Sequence, residues 1–364
     1  MTSATGADAD GERRNVSDAA GVAVLGACAV WSLVTAAVHG GRPEGVLLAV
    51  LAVAAGYAAG RILGVLLPVA APAAGALAGL TLSVVRPRLA PGPETVAPLG
   101  HAGATAAVLT LSAGAACCAA RATPVPALRL GLWLLAGGIA VAGALLGSTT
   151  AVVTCGAVLV CSLAAGRLRH RGPALAALGV TAAVVTGLTW AVAGGALSGG
   201  LVGPLTDRLT AHRVRLWRDA LGMARREAAL GVGPGRFGEL SGTAAQSTLQ
   251  STMSDGKPHS APLQLAAEQG VVGVLLLAAA FCWVLFALWR APRPTPVVLT
   301  AGAALTALAA VAAIGNALSF TTVSVGAGLL AGLATARPLA EEPAACEVRP
   351  ESGRDLRHDD RPAA

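Results

Sequence analysis

Charge is scarce in this chain. Asp, Glu, Lys and Arg make up 12% of its 364 residues, against about 25% in ordinary soluble domains. Hydrophobic residues reach 55% and the mean hydropathy is +0.68, which excludes a water-soluble globular fold and indicates an integral membrane protein. Lysine is nearly absent: Lys257 stands alone, so the net charge of +7 is carried almost wholly by guanidinium. Arginine is the better fork for phosphate oxygens, although an Ala/Gly/Arg-heavy composition is also what a GC-rich genome writes. The seven cysteines offer no Cys-x-x-Cys or Cys/His spacing, so neither a disulfide framework nor a metal site can be read from them. Adjacent Cys117 and Cys118 are poorly placed for a bridge, and the apolar cysteines read as small packing residues. The one glycine-rich turn, at 231–235, is not followed by Gly-Lys-Ser/Thr and does not open a strand-helix unit, which excludes a nucleotide phosphate loop. No repeat of fixed period is evident.

What the chain does have is long apolar runs. A membrane helix needs roughly 20 apolar residues, and about ten segments qualify: 20–38, 44–60, 62–84, 100–120, 127–146, 148–166, 173–193, 271–289, 295–313 and 318–336. Two cuts, at Arg61 and at Gly147 and Ser148, divide long runs by length alone. Arg61 is expected in a short turn. With ten crossings, Arg13, Arg14, Arg121, Arg129, Arg167, Arg169, Arg171, Arg290, Arg293 and Arg337 all fall on one side. The positive-inside rule makes that side cytoplasmic, both termini included. Arg86 and Arg88 land on the outer face against the bias, either as tolerated exceptions or as positive charge near an anionic head group.

The expected fold is therefore all-α, a polytopic membrane helical bundle of about ten transmembrane helices in the inner or plasma membrane. Residues 1–19 form a cytoplasmic tail without a signal-peptide pattern, and 20–195 hold about seven helices. A large, partly helical extracytoplasmic loop occupies 196–270, ahead of the last three helices at 271–336. The charged, Pro-containing tail at 337–364 is expected to be disordered. The abundant Ala and Gly suit close helix packing.

The loop at 196–270 is too long for an ordinary connection. From 213 to 228 a 3.6-residue period puts Leu216, Trp217, Ala220, Leu221, Met223 and Ala224 on one face of a helix, with Arg215, Arg218, Asp219, Arg225 and Arg226 opposite. Such a helix lies along the membrane surface or caps the bundle. Arg213 projects onto the apolar face, where a guanidinium needs an anion or backbone carbonyls; it is either a snorkelling helix-start arginine or a phosphate ligand. The glycine turn either stops the helix or presents consecutive N–H groups to an anion, with Arg236 beside it as a further phosphate contact. His259 closes a polar run before the eighth span and is either a solvated loop histidine or a group that takes a proton from a hydroxyl near neutral pH. Glu268 can orient His259, bind a sugar hydroxyl or mark the membrane border.

The order of these features resembles the O-antigen ligase and polymerase superfamily: many spans, a large outer loop before the last helices, Arg213-x-x-x-Trp217, the run GVGPGRF, and His259, Leu263, Glu268, Gly270 and Gly273 in the pattern His-x-x-x-Leu-x-x-x-x-Glu-x-Gly-x-x-Gly. The resemblance implies transfer of a glycan from a polyprenyl diphosphate carrier to a hydroxyl of a glycan or lipid acceptor at the outer face of the bilayer. It implies no cofactor, no metal and no nucleic acid partner. By position it makes His259 and Arg213 the catalytic pair, the arginine holding the diphosphate, and puts Arg215, Trp217, Gly233, Arg236 and Glu268 at the substrate. Three departures stand out: Ser260 replaces the asparagine common after the histidine, Ala228 stands nearest the usual proline before the turn, and Ser148-Thr149 stands where a Ser-Arg pair is typical. The competing expectations are a transporter or flippase of lipid-linked saccharide, which would carry ionisable groups at mid-membrane, and a non-catalytic member of a polysaccharide assembly complex.

Overall fold

In hydrocarbon each unpaired N–H or C=O costs several kcal/mol, so an apolar chain of this length closes its hydrogen bonds within helices. The computed structural model describes residues 4–89, 99–168, 170–196, 211–242 and 258–337, with the backbone alone at 4–15, 86–89, 99–102 and 211–212. Among these residues the only regular elements are helical. They are α1 (Ala4–His39), α2 (Glu44–Leu66), α3 (Ala70–Leu89), α4 (Leu99–Ala122), α5 (Pro126–Leu145), α6 (Thr149–Ala165), α7 (Arg171–Ala193), α8 (Ala211–Arg226), a short α9 (Phe237–Leu240), α10 (Ala261–Arg290), α11 (Thr295–Ile314) and α12 (Thr321–Thr335). A 3-10 turn at Ala317–Ser319 joins the last two. Seven of the helices contain a segment long and apolar enough to cross a membrane, while α3, α6 and α12 contribute shorter apolar helices. The protein is a polytopic helical membrane protein.

The ten apolar helices follow the expected order, with instructive differences at their ends. Gly147 takes a left-handed φ of 70° and Ser148 accepts from the Ala151 amide at 3.2 Å, so the division between α5 and α6 falls where length alone put it. The cut at Arg61 does not. Helix α2 runs on to Leu66 and is stopped by Pro68, which has no N–H to offer. Arg61 stays inside the helix because a carboxylate is supplied from elsewhere: its guanidinium reaches both Asp18 oxygens at 2.6 Å and lies 5.8 Å from the Tyr57 ring centroid. Asp18 belongs to α1, whose helix begins at Ala4 within the segment read as a tail. The tail at 338–364 and the side chains of Arg13, Arg14, Arg86 and Arg88 lie outside the described residues.

The centre of the bundle is made of small residues. Helices α4 and α11 pack together and are the most enclosed; Ala106, Ala107, Ala113, Ala116, Cys117, Ala301 and Ala304 are fully buried. Helices α2 and α12 approach most closely, through Gly56, Gly60 and Gly64 on one and Gly328 and Gly332 on the other. A Cβ on Gly60 would meet the Leu329 carbonyl, and one on Gly332 the Tyr57 carbonyl. Without water to squeeze helices together, such backbone contact is what dispersion requires.

We expect Gly60→Ala to cost about 1–3 kcal/mol, since the obstructing atoms are backbone, and to lower the Tm of the detergent-solubilised protein by several degrees. Gly137→Ala, which meets nothing within 4 Å, should leave Tm unchanged or slightly raised. Equal effects of the two would refute the α2–α12 contact.

Candidate functional site

The amphipathic period read from the sequence folds as expected into α8. Leu216, Trp217 and Ala220 are buried while Arg215, Arg218, Arg225 and Arg226 are exposed. The apolar face packs on α10 and α7, with Leu216, Trp217, Ala220 and Leu221 joined to Leu263, Ala267, Val192, Ala193 and Phe237. At about 1.5–3 kcal/mol for each large side chain withdrawn from water, this cluster suffices to hold a short helix against the bundle.

A helix break then fixes where α8 ends. Within α10, Gly270 has φ 68° and ψ −165°, so the hydrogen bonds that would cross it are missing. The turn at 228–235 replaces them. Val232 and Gly233 donate their amides to the Ala267 and Glu268 carbonyls at 2.8 and 2.9 Å, and the Val271 amide donates to Ala228 at 2.8 Å. The Gln269 carbonyl accepts from the Trp31 indole of α1 at 3.0 Å. Gly231 is required for this approach: it has φ 66°, and a Cβ there would strike the Glu268 and Gln269 backbone. Gly270 is equally constrained by the Ala228 and Ala229 carbonyls. The far side of the turn holds the α1–α2 connection, through the Arg42 amide on Pro234 at 2.7 Å and Arg236 Nη1 on the His39 carbonyl at 2.7 Å.

Because the end of α8 is pinned beside Gly270 and Trp217 packs near Leu263, α8 and the first part of α10 run parallel. Arg213 precedes Trp217 by one turn and His259 precedes Leu263 by the same interval, so both stand at the same end of the pair. Arg213 is half-buried, and burial pushes its guanidinium pKa down. It donates to the Ile314 carbonyl at a long 3.4 Å; no carboxylate pairs with it among the described residues. Two residues beyond Ile314, Asn316 is buried. Its Oδ1 accepts from Ser319, while its Nδ2 has no partner among the described residues.

His259 differs from the solvated loop residue that the sequence allows: it is 6% exposed. Its φ is 50°, the only positive value at a non-glycine among the described residues, an uncommon conformation in which histidine is nevertheless enriched. Ser260 follows in extended conformation and caps α10 without a side-chain hydrogen bond. Glu268 is also buried, and both its oxygens accept from Gln264 Nε2 at 3.4 Å.

Four further expectations resolve as follows. Arg215 points into the exposed set. Trp217 is 1% exposed and serves the α8–α10 cluster. The amide of Gly233, like that of Val232, is spent on a helix carbonyl, so the turn works as a helix stop and a docking element in place of an anion nest. Arg236 is committed to the His39 carbonyl and lies 4.0 Å from Glu239. Lys257 and the polar run before Pro258 lie outside the described residues. Asn316 was missed; an asparagine after a glycine between two long apolar runs was the available signal.

With this geometry in view, the comparison with known families can be placed on the structure: the O-antigen ligase family model matches residues 130–278. The match is a likeness over that stretch of the chain. It spans α5 to the middle of α10 and so contains Arg213, the glycine turn, His259 and Glu268, whereas Ile314 and Asn316 lie beyond it. No curated protein and no solved structure matches the chain.

Gly270→Ala and Gly231→Ala should each undock the glycine turn from α10, read as new protease cleavage within 228–258 while the spans stay folded. Gly222→Ala in α8, with nothing within 4 Å, is the control and should cut like the parent. Unchanged cleavage in both turn variants would exclude the docking role.

Proposed function

We propose that the protein is a membrane glycan transferase of the O-antigen ligase kind, acting in cell-envelope or exopolysaccharide synthesis at the outer face of the membrane. It moves a saccharide from a polyprenyl diphosphate to a hydroxyl of a glycan or lipid acceptor. The observation that carries this reading is Arg213: a desolvated guanidinium whose one described partner is a distant neutral carbonyl. A cation withdrawn from water is stabilised most by an anion, and a diphosphate presents the oxygens that its planar fork fits.

The chemistry follows from that placement. The acceptor oxygen forms a bond to the anomeric carbon as the bond from that carbon to the diphosphate oxygen breaks. The leaving diphosphate takes the electron pair, and Arg213 stabilises the charge that develops there. The acceptor proton passes to the imidazole of His259. Asn316 Nδ2 is a second N–H donor on the chain segment that Arg213 grips, suited to a phosphate or sugar oxygen.

Reconstituted with polyprenyl-diphosphate-linked glycan and a hydroxyl acceptor, the parent protein should form a new covalent product. Arg213→Ala and His259→Ala should each reduce product formation by at least 100-fold, in the range of lost general-base or oxyanion-type contributions, with membrane levels unchanged. Arg215→Ala should stay within a few-fold of the parent. Full activity in both variants would remove the proposed site, and movement of the carrier-linked glycan across the vesicle without product would make the protein a transporter.

A further inference from the structure

A cleft of about 640 Å³ opens at the other end of the bundle, between the α6–α7 and α10–α11 connections. Helices α7 and α10 both run from it to the Arg213 end, so it is removed from that site by roughly 35 Å at 1.5 Å per residue over the 23 residues of α7. Its polar lining is cationic: His170, Arg171 and Arg293 contribute, with Thr295, and no acidic side chain is among the lining residues.

The two arginines are held in place by neutral groups. Arg293 is buried and donates to the last carbonyls of two helices, Ala336 at 2.9 Å and Gly64 at 2.5 Å. Arg171 donates one N–H to Ala291 at 2.7 Å, leaving the rest of its fork for the cleft. Neither pairs with a carboxylate among the described residues. At the rim Trp289 is 46% exposed, and Arg290 stacks on Trp289 and Phe286 at 5.2 Å from each ring. Trp and Arg at the end of a span mark the level of lipid head groups.

We propose that this cleft binds the head-group phosphodiester of an anionic phospholipid, with Arg171 on the phosphate oxygens, Arg293 adding its charge from the buried wall, His170 beside them and Trp289 against the glycerol and upper acyl carbons. The arginine fork suits two phosphate oxygens at once. A basic pocket between spans, at head-group depth, is the setting in which such lipids are selected.

The full-length protein, purified in detergent and mixed with phosphatidylglycerol or phosphatidylcholine, should retain phosphatidylglycerol preferentially in native mass spectra. Arg171→Gln should weaken that retention about tenfold, the effect of one charge-assisted contact, while Arg167→Gln, which removes an exposed charge outside the cleft, should not change it. Thr295→Glu serves as a second variant. It adds a carboxylate to the cleft at the first residue of α11, where the helix dipole favours it, so the fold is kept and the phosphate repelled. Equal retention of the two lipids, equal loss in Arg167→Gln and Arg171→Gln, or unaltered retention in Thr295→Glu would overturn the proposal. Displacement of the lipid by millimolar inorganic phosphate would also overturn it, assigning the cleft to the free anion.

Discussion

The exchange of hydrogen bonds across Gly270 is the constraint on which the candidate site depends. Breaking α10 inside an apolar bundle strands its carbonyls and amides, at a cost of several kcal/mol for each group left without a partner. The turn at 228–233 supplies the missing donors and acceptor in register: the Ala267 and Glu268 carbonyls receive Val232 and Gly233, and the Val271 amide reaches Ala228. Neither half is tolerable alone. The break needs the turn to be satisfied, and the turn needs the break to find free backbone groups. Once they are joined, the end of α8 is fixed and its apolar face has one place to go.

Three guanidiniums withdrawn from water to different degrees differ in how they are compensated. Arg61 meets a carboxylate at 2.6 Å and is neutralised within the fold. Arg293 meets two helix-terminal carbonyls at 2.9 and 2.5 Å, whose orphan dipoles are themselves stabilised by a cation; it ties α2, α12 and the α10–α11 connection together. Arg213 has one carbonyl at 3.4 Å. Since leaving a buried charge uncompensated costs on the order of 3–5 kcal/mol, Arg61 and Arg293 are the better compensated within the fold and Arg213 the least, which is the ground for the anion proposed there. This distinction rests on partners and distances, which residue type alone does not give.

That is also where legibility in the sequence ends. Local patterns were readable: the period of α8, the division at Gly147 and Ser148, and the order of apolar helices each depend on residues within a few positions of one another. Long-range pairing was not. Arg61 looked like a turn because its carboxylate lies 43 residues away. The glycine turn looked able to hold an anion because nothing in its own text shows that its amides are taken by a helix that follows it by more than 30 residues. Helix α10 was expected from 271, yet it starts at Ala261, because the segment 261–269 is helical through packing on α8 more than through its own apolar length. Arg213 was legible as an anomaly on an apolar face; the identity of its carbonyl and the nearby Asn316 were not.

The left-handed histidine draws these strands together. A non-glycine residue at φ 50° costs of order 1–3 kcal/mol and persists only where its surroundings over-determine it. For His259 the surroundings are the start of α10, with Ser260 extended behind it and Leu263 fully buried against the α8 cluster one turn on. The same cluster positions Arg213 through Trp217. Imidazole and guanidinium are thus referred to one apolar contact between α8 and α10, and that contact is referred in turn to the backbone exchange at Gly270. A substitution that loosens the exchange therefore moves both groups together, so the glycines of the turn and of the break bear on the proposed site although they lie outside it.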